Sequence, residues 1–238
     1  MKLNRVENKY FVNKKDLFGL ISVLSTVCKV DPYCQDRKPY ELTSIYFDNF
    51  TDDDFIEKIQ GVNFREKYRI RFYNKDLSSA KFEIKRKNHN SIQKLGTLID
   101  QDDIAKLLDG DFLPLRDRSE FGYVEEKLRL ENYRPKAIVT YKRLAFYLPF
   151  DNIRVTLDLD IRGSLNNKIS VDSIHDYGIH LMPENYDVLE LKFEGSLPSF
   201  LIRLLSSFSL RQASISKYVL ARIHNNPSPF EDRGELPF

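Results

Sequence analysis

Several stretches of this chain alternate, residue by residue, between apolar and charged side chains, a pattern that suits an extended strand with two unlike faces. From Phe64 to Tyr73, Arg65, Lys67, Arg69 and Arg71 share one face, and Tyr68, Ile70 and Phe72 the other. From Lys81 to Lys87, Lys81, Glu83, Lys85 and Lys87 oppose Phe82 and Ile84, and the next segment adds Lys94. The design recurs where Arg5, Glu7 and Lys9 oppose Val6, Tyr10 and Val12, and where Tyr141 and Arg143 fall together. It recurs again in Arg154, Thr156, Asp158 and Asp160 against Ile153, Val155, Leu157, Leu159 and Ile161, and in Glu190 and Lys192 against Leu189, Leu191 and Phe193.

For any one strand, the solvated side of a one-sided antiparallel sheet accounts for the charges. Across so many strands that account weakens, because runs such as Arg65 to Arg71 set like charges side by side, where they repel unless an anion compensates them. Helical spacing intervenes at Leu17, Leu20, Ile21 and Leu24 with Asp16 as N-cap, at Phe55, Ile56 and Ile59 before Gly61, and at Ile104, Leu107 and Leu108. Two further helices are expected at Phe200 to Leu205 and Lys217 to Ile223. Each carries one apolar stripe, which the apolar strand faces can cover, so the helices are expected outside the sheet and the charged face inside. The fold class is therefore α+β: an antiparallel β barrel with helices packed on its outside.

A small barrel leaves an interior that side chains or one slender ligand can fill. Arg presents a planar fork to phosphate oxygens and Lys a compact charge, so a slender polyanion such as a row of phosphates suits this lining. The acids Glu7, Glu83, Asp158, Asp160 and Glu190 are either structural ion-pair partners or, for one or two of them, ligands to Mg²⁺ or Mn²⁺. In the segment SIYFDN, Tyr46 and Phe47 read as core and Asp48 as a cap for the following helix.

With 238 residues, 42% of them hydrophobic, one domain is expected over residues 1–225, followed by a Pro-rich tail at 226–238. A net charge of +2 argues against a polycation that coats nucleic acid, and the aromatics sit opposite the cations, so no nucleic-acid partner is expected. Cys28 and Cys34 with His89, His175, His180 and His224 show no zinc spacing. The N-terminus has no apolar leader and no stretch has the length to span a bilayer, so a cytoplasmic protein with no transmembrane segment is expected.

The motifs RVENKYFV, SIYFDN, GVNFREKYRIRFY, FEIKRK, TYKRLAF, RVTLDLDI, VLELKFEG and SISKYVLA, in order from about residue 3 to about residue 225, together resemble the VTC domain. That is the polyphosphate polymerase domain of the vacuolar transporter chaperone complex, within the CYTH-like triphosphate tunnel metalloenzymes. The resemblance implies a tunnel barrel in which Lys9, Arg69, Arg71, Lys85, Lys94, Arg143, Arg154 and Lys217 bind phosphate, assisted by Tyr141 and Ser216. Among these, Arg69, Arg71, Arg143 and Lys217 would act on the transferred group, and Glu190 would hold a divalent metal, Mn²⁺ or Mg²⁺. ATP would donate its γ-phosphoryl group to a growing polyphosphate chain. Ser214 stands where the eukaryotic polymerases place a lysine, and Arg5 where hydrolytic relatives place the first acid of an ExExK pattern. The resemblance does not extend to the SPX domain or the membrane segments of the eukaryotic complex, so a stand-alone catalytic unit is expected, with coupling to transport needing a separate membrane protein. A triphosphatase on the same fold and a non-catalytic polyphosphate sensor are the alternative readings.

Overall fold

Each alternating segment forms a strand in the computed structural model, which describes residues 5–89, 91–118, 120–148, 152–164, 169–175 and 178–225. The expected tail at 226–238 lies outside the described residues. The strands are β1 (Arg5–Asn13), β2 (Lys29–Val30), β3 (Tyr40–Asp48), β4 (Phe64–Tyr73), β5 (Asp76–Asn88), β6 (Ser91–Leu98), β7 (Arg134–Leu148), β8 (Ile153–Gly163), β9 (Ile179–His180), β10 (Tyr186–Glu194) and β11 (Arg211–Gln212). The helices are α1 (Lys14–Val27), α2 (Asp53–Gln60), α3 (Gln101–Asp109), α4 (Gly122–Leu130), α5 (Ser199–Leu205) and α6 (Lys217–Asn225). Asn74 and Lys75, both at positive φ, make the two-residue turn from β4 to β5, which keeps their charged faces on one side.

The strands form one antiparallel sheet in the order β11-β1-β10-β8-β7-β3-β4-β5-β6, with β2 pairing β7 and β9 pairing β8. Among the described residues the hydrogen-bonded path stays open, which corrects the expectation of a closed barrel. At one end of the path β11 pairs with β1 through Tyr10 opposite Gln212 and Phe11 opposite Arg211, and at the other end β6 pairs, among these residues, only with β5. The sheet nevertheless curls into a tunnel-like form, and side chains bridge where backbones do not: Lys85 of β5 reaches to 3.7 Å from Glu7 of β1.

Two apolar clusters cover the outer face. Leu20 and Leu24 of α1 and Leu201 of α5 join Phe146, Val155, Leu157, Leu189 and Leu191 in one. Ile104 and Leu107 of α3 and Val124 and Leu128 of α4 join Tyr68, Ile70, Phe72, Phe82 and Ile84 in the other. Helix α1 begins one turn earlier than expected, because Asn13, not Asp16, caps it by accepting a hydrogen bond from the Lys15 amide. Helices α2 and α6 depart further from expectation. Both present residues to the concave face, Lys58 from α2 and Lys217 and Tyr218 from α6.

Asp48 at the end of β3 ties these two helices to the sheet. Its fully buried carboxylate accepts the amides of Asn49 (2.9 Å), Asp54 (3.0 Å) and Phe55 (3.0 Å) and the Tyr218 hydroxyl. It thus serves the first turn of α2, as its place in SIYFDN suggests, and also anchors α6. Arg222 continues the clasp with two hydrogen bonds to Asp52, at 2.9 and 2.7 Å. No helix among the described residues is long and apolar enough to cross a membrane. Asp48→Ala orphans buried amides and a hydroxyl together, so it is expected to cost about 3 kcal/mol of stability, read as a lowered midpoint in urea unfolding.

Candidate functional site

The inward faces of the strands and the two concave-side helices enclose a cavity of about 460 Å³. Period two delivers Arg65, Lys67, Arg69 and Arg71 of β4 to it, together with Lys85 and Lys87 of β5 and Lys94 of β6. From the other wall come Glu7 and Lys9 of β1, Tyr141 and Arg143 of β7, and Glu190 and Lys192 of β10. The segment leading into α6 adds Ser216 and Lys217. Of the candidate residues, then, Lys9, Arg69, Arg71, Lys85, Lys94, Tyr141, Arg143, Glu190, Ser216 and Lys217 line one cavity.

Arg154 is not among the lining residues. It stands on the same strand face as Asp158 but at the far end of β8, where Asp31 draws its guanidinium away, at 3.0 Å. Asp160 also leaves the series. It sits at φ 51° beside the bulge where β7 and β8 shift register, and this break in the alternation turns its carboxylate to Arg162 (2.8 Å) and Lys142 (3.6 Å). Tyr46, read as core, is buried and also lines the cavity, whereas Phe47 is core alone.

Opposite charges organise the walls into pairs. Asp158, with no exposure, accepts Arg143 bidentately at 2.6 and 2.9 Å and Lys217 at 2.5 Å. The Tyr141 ring faces both cations, 5.3 Å from the guanidinium and 4.6 Å from the ammonium. Burial resists ionisation of Asp158, but Arg143 and Lys217 outweigh it and hold the carboxyl well below the usual carboxylate range. Glu83 pairs with Arg69 at 2.6 Å and lies 3.8 Å from Arg71, whose Nε also donates to Ser44 at 3.3 Å.

A third group joins β1 and β10. Their register sets Lys9 opposite Glu190 and Lys192 opposite Glu7, so the two acids and two lysines form a square. Lys9 lies 3.4 Å from Glu7 and 3.7 Å from Glu190, and Lys192 contacts Glu190 directly. Against the burial that opposes its charge, Glu7 is held at a pKa of about 2 by Lys9, Lys85, Lys192 and Lys94. The lysines move the other way. Burial, reinforced by neighbouring cations, lowers Lys192 to about 6, Lys67 to about 7 and Lys85 to about 8.

Among the described residues no group of three or more His, Cys, Asp or Glu side chains is arranged to hold a metal by itself. Glu190 and Glu7 are neighbouring carboxylates on one wall, joined through the same lysines. A hard divalent ion commonly takes one or two carboxylates and completes its shell with water and substrate phosphates. This donor pair fits such an ion in the presence of a phosphate ligand.

Lys192 and Lys58 were absent from the residues singled out by resemblance. Lys192 was legible, since it shares the Glu190 face two residues on. Lys58 was not, because nothing in the periodicity of one short helix shows that its lysine faces a cavity built by strands.

The Asp158 cluster makes a specific prediction. Asp158→Ala leaves Arg143 and Lys217 buried without their counter-ion, at an expected cost of about 3–5 kcal/mol. Tripolyphosphate should restore part of that loss by supplying the missing negative charge, and should raise the melting temperature of the variant more than that of the parent protein.

With this geometry in view, comparisons with known proteins place the chain. Among solved structures, an adenylate-cyclase-like protein from Bacillus halodurans superposes with a TM-score of 0.53 at 15% identity, covering 90% of this chain and 96% of that one. Another adenylate-cyclase-like protein, from Vibrio parahaemolyticus, gives 0.50 at 11% identity over 92% of this chain and 98% of the other. A protein from Pyrococcus horikoshii gives 0.50 at 13% identity over 92% and 96%. At such identities these neighbours show a shared fold alone. No curated protein matches the chain. The sequence model of the VTC domain, in contrast, matches residues 4–223, nearly the whole described structure, and the chain belongs to the VTC domain family.

Proposed function

We propose that the chain is a metal-dependent polyphosphate polymerase, which moves the γ-phosphoryl group of ATP onto the end of a polyphosphate chain. The observation that carries this reading is the meeting, in one cavity, of Arg69, Arg71, Arg143 and Lys217 with the Glu7–Glu190 carboxylate pair. Phosphoryl transfer needs little covalent chemistry from the protein and much positioning and charge stabilisation. The arginines offer forks to the equatorial oxygens of the transferred group, and Lys217 adds a compact charge beside them. Asp158 and the Tyr141 ring hold Arg143 and Lys217 in place, while Glu83 and Ser44 do the same for Arg69 and Arg71.

The acceptor's terminal oxygen attacks the γ-phosphorus in line. A new P–O bond forms as the bond to the bridging oxygen of ADP breaks, and that oxygen leaves with the electron pair. No protein nucleophile is involved. Lys9, Lys85, Lys94 and Ser216 complete the phosphate contacts, and Glu190 with Glu7 would hold Mn²⁺ or Mg²⁺, which when bound neutralises phosphate charge.

The test is incubation with ATP and Mn²⁺ or Mg²⁺, followed by separation of the products by length. A ladder of long chains is expected, with Arg71→Ala and Glu190→Gln each lowering kcat about 10²–10³-fold, the loss typical of a preorganised charge contact. Release of orthophosphate alone would assign hydrolysis, and binding of polyphosphate without turnover would assign a sensor.

The lowered lysines give a second test. Phosphate favours their charged form, so binding between about pH 6 and 8 should take up protons, and affinity should fall as pH rises through that range. The stability of the empty protein moves oppositely. The unfolded chain, with its lysines near 10.5, binds more protons than the folded one, so these groups make stability rise with pH from about 6 upward. Calorimetry in two buffers of different ionisation enthalpy measures the proton uptake, and its absence would contradict this electrostatic picture.

A further inference from the structure

The cavity's cations divide by what compensates them. Around Asp158, Glu83 and the Glu7–Glu190 square, each paired cation has a carboxylate within 4 Å. Arg65, Lys67 and Lys87, together with Lys58 of α2, line the same cavity, yet none of these four has a carboxylate within 4 Å among the described residues. Their contacts are of other kinds. Lys58 donates to the Ser214 hydroxyl at 3.2 Å, Arg65 to the Val62 carbonyl at 2.5 Å, and Lys67 lies over the Tyr218 ring at 5.1 Å.

Register sets like charges opposite one another on both sides of Glu83: Arg71 stands opposite Lys81, Lys67 opposite Lys85 and Arg65 opposite Lys87, while Arg69 stands opposite Glu83. Glu83 also lies 3.8 Å from Arg71, whereas no carboxylate among the described residues comes within 4 Å of Lys67, Arg65 or Lys87. Like charges directly across a ladder destabilise a sheet. Helix α2 adds Lys58 to this end, and its pKa is lowered by burial and then by Arg65, Lys9, Lys87 and Lys85. From Arg65 to Arg71 the wall runs about 20 Å at the rise of a strand, longer than a triphosphate. A triphosphate seated among Arg69, Arg71, Arg143 and Lys217 therefore leaves the other end of the wall unmatched, and a longer row of phosphates fills it.

Resting on the polyphosphate reading above, we propose that Lys58, Arg65, Lys67 and Lys87 form a length-selective subsite that binds the extended part of a polyphosphate chain and contributes little to triphosphate binding. Lys58 is its helix-borne member: it donates to the Ser214 hydroxyl at 3.2 Å and adds a cation from α2 to those of β4 and β5 at this end.

The experiment compares tripolyphosphate with long-chain polyphosphate as ligands of the parent protein and of the Lys58→Gln/Lys87→Gln variant, by calorimetry over a range of salt concentrations. The variant is expected to lose about tenfold in affinity for the long chain, with a shallower salt dependence, and less than about twofold for tripolyphosphate. Without ligand, it should melt no lower than the parent, because two repelling charges have been removed. Equal losses for the two ligands, no loss for the long chain, or a lowered melting temperature without ligand would each overturn the subsite. These failures differ from failure of the underlying reading, in which the parent protein itself would bind neither ligand.

Discussion

Mutual repulsion among cations is the constraint on which the rest of this structure depends. One curled sheet turns a face rich in Arg and Lys inward, where low dielectric strengthens every like-charge contact. The fold tolerates this by distributing acids of matching reach: Asp158 for Arg143 and Lys217, Glu83 for Arg69 and Arg71, and Glu7 with Glu190 for Lys9 and Lys192. Each acid neutralises its neighbours while leaving guanidinium and ammonium groups facing the cavity. Burial is the first cause of the lowered lysine pKa values, and it acts on Lys192 and Lys85 even beside their carboxylate partners.

The apolar half of each strand serves the same end. Because the outer face packs under α1, α3, α4 and α5 in two clusters, the strands are held from behind, and the charged side chains need no apolar contact of their own to stay in place. The clasp of Asp48, Tyr218 and Arg222 extends that support to α2 and α6, the two helices that bring cations to the cavity without belonging to the sheet.

Strict alternation made the strands and their inward charges legible from sequence, since period two allows little else. The site followed to the same extent: Lys9, Arg69, Arg71, Lys85, Arg143 and Glu190 all face the cavity that their parity implies. What alternation does not encode is which partner a side chain takes or where a strand's phase breaks. Arg154 has the right parity and stands opposite Lys192, yet its guanidinium pairs with Asp31, and Asp160 loses the phase at a bulge. Closure was equally hidden, because alternation shows which face a strand turns inward and not which edges pair, and β11 is a two-residue strand with no pattern of its own. Helix α4 escaped notice because Val124 and Leu128 are a thin stripe in an otherwise charged segment.

The pairing of β1 with β10 also bears on how the molecule comes into being. Lys9 and Glu190 are neighbours across two strands but lie about 180 residues apart along the chain. During synthesis at roughly 5–20 residues per second, the first strand must wait about 10–40 s for its partner to be made. Over that interval Glu7 and Lys9 have only each other from the square of charges, and the apolar face of β1 is uncovered by β10. Assembly of the basic cavity therefore waits on the synthesis of β10, and over that interval β1 must stay unpaired with it without aggregating.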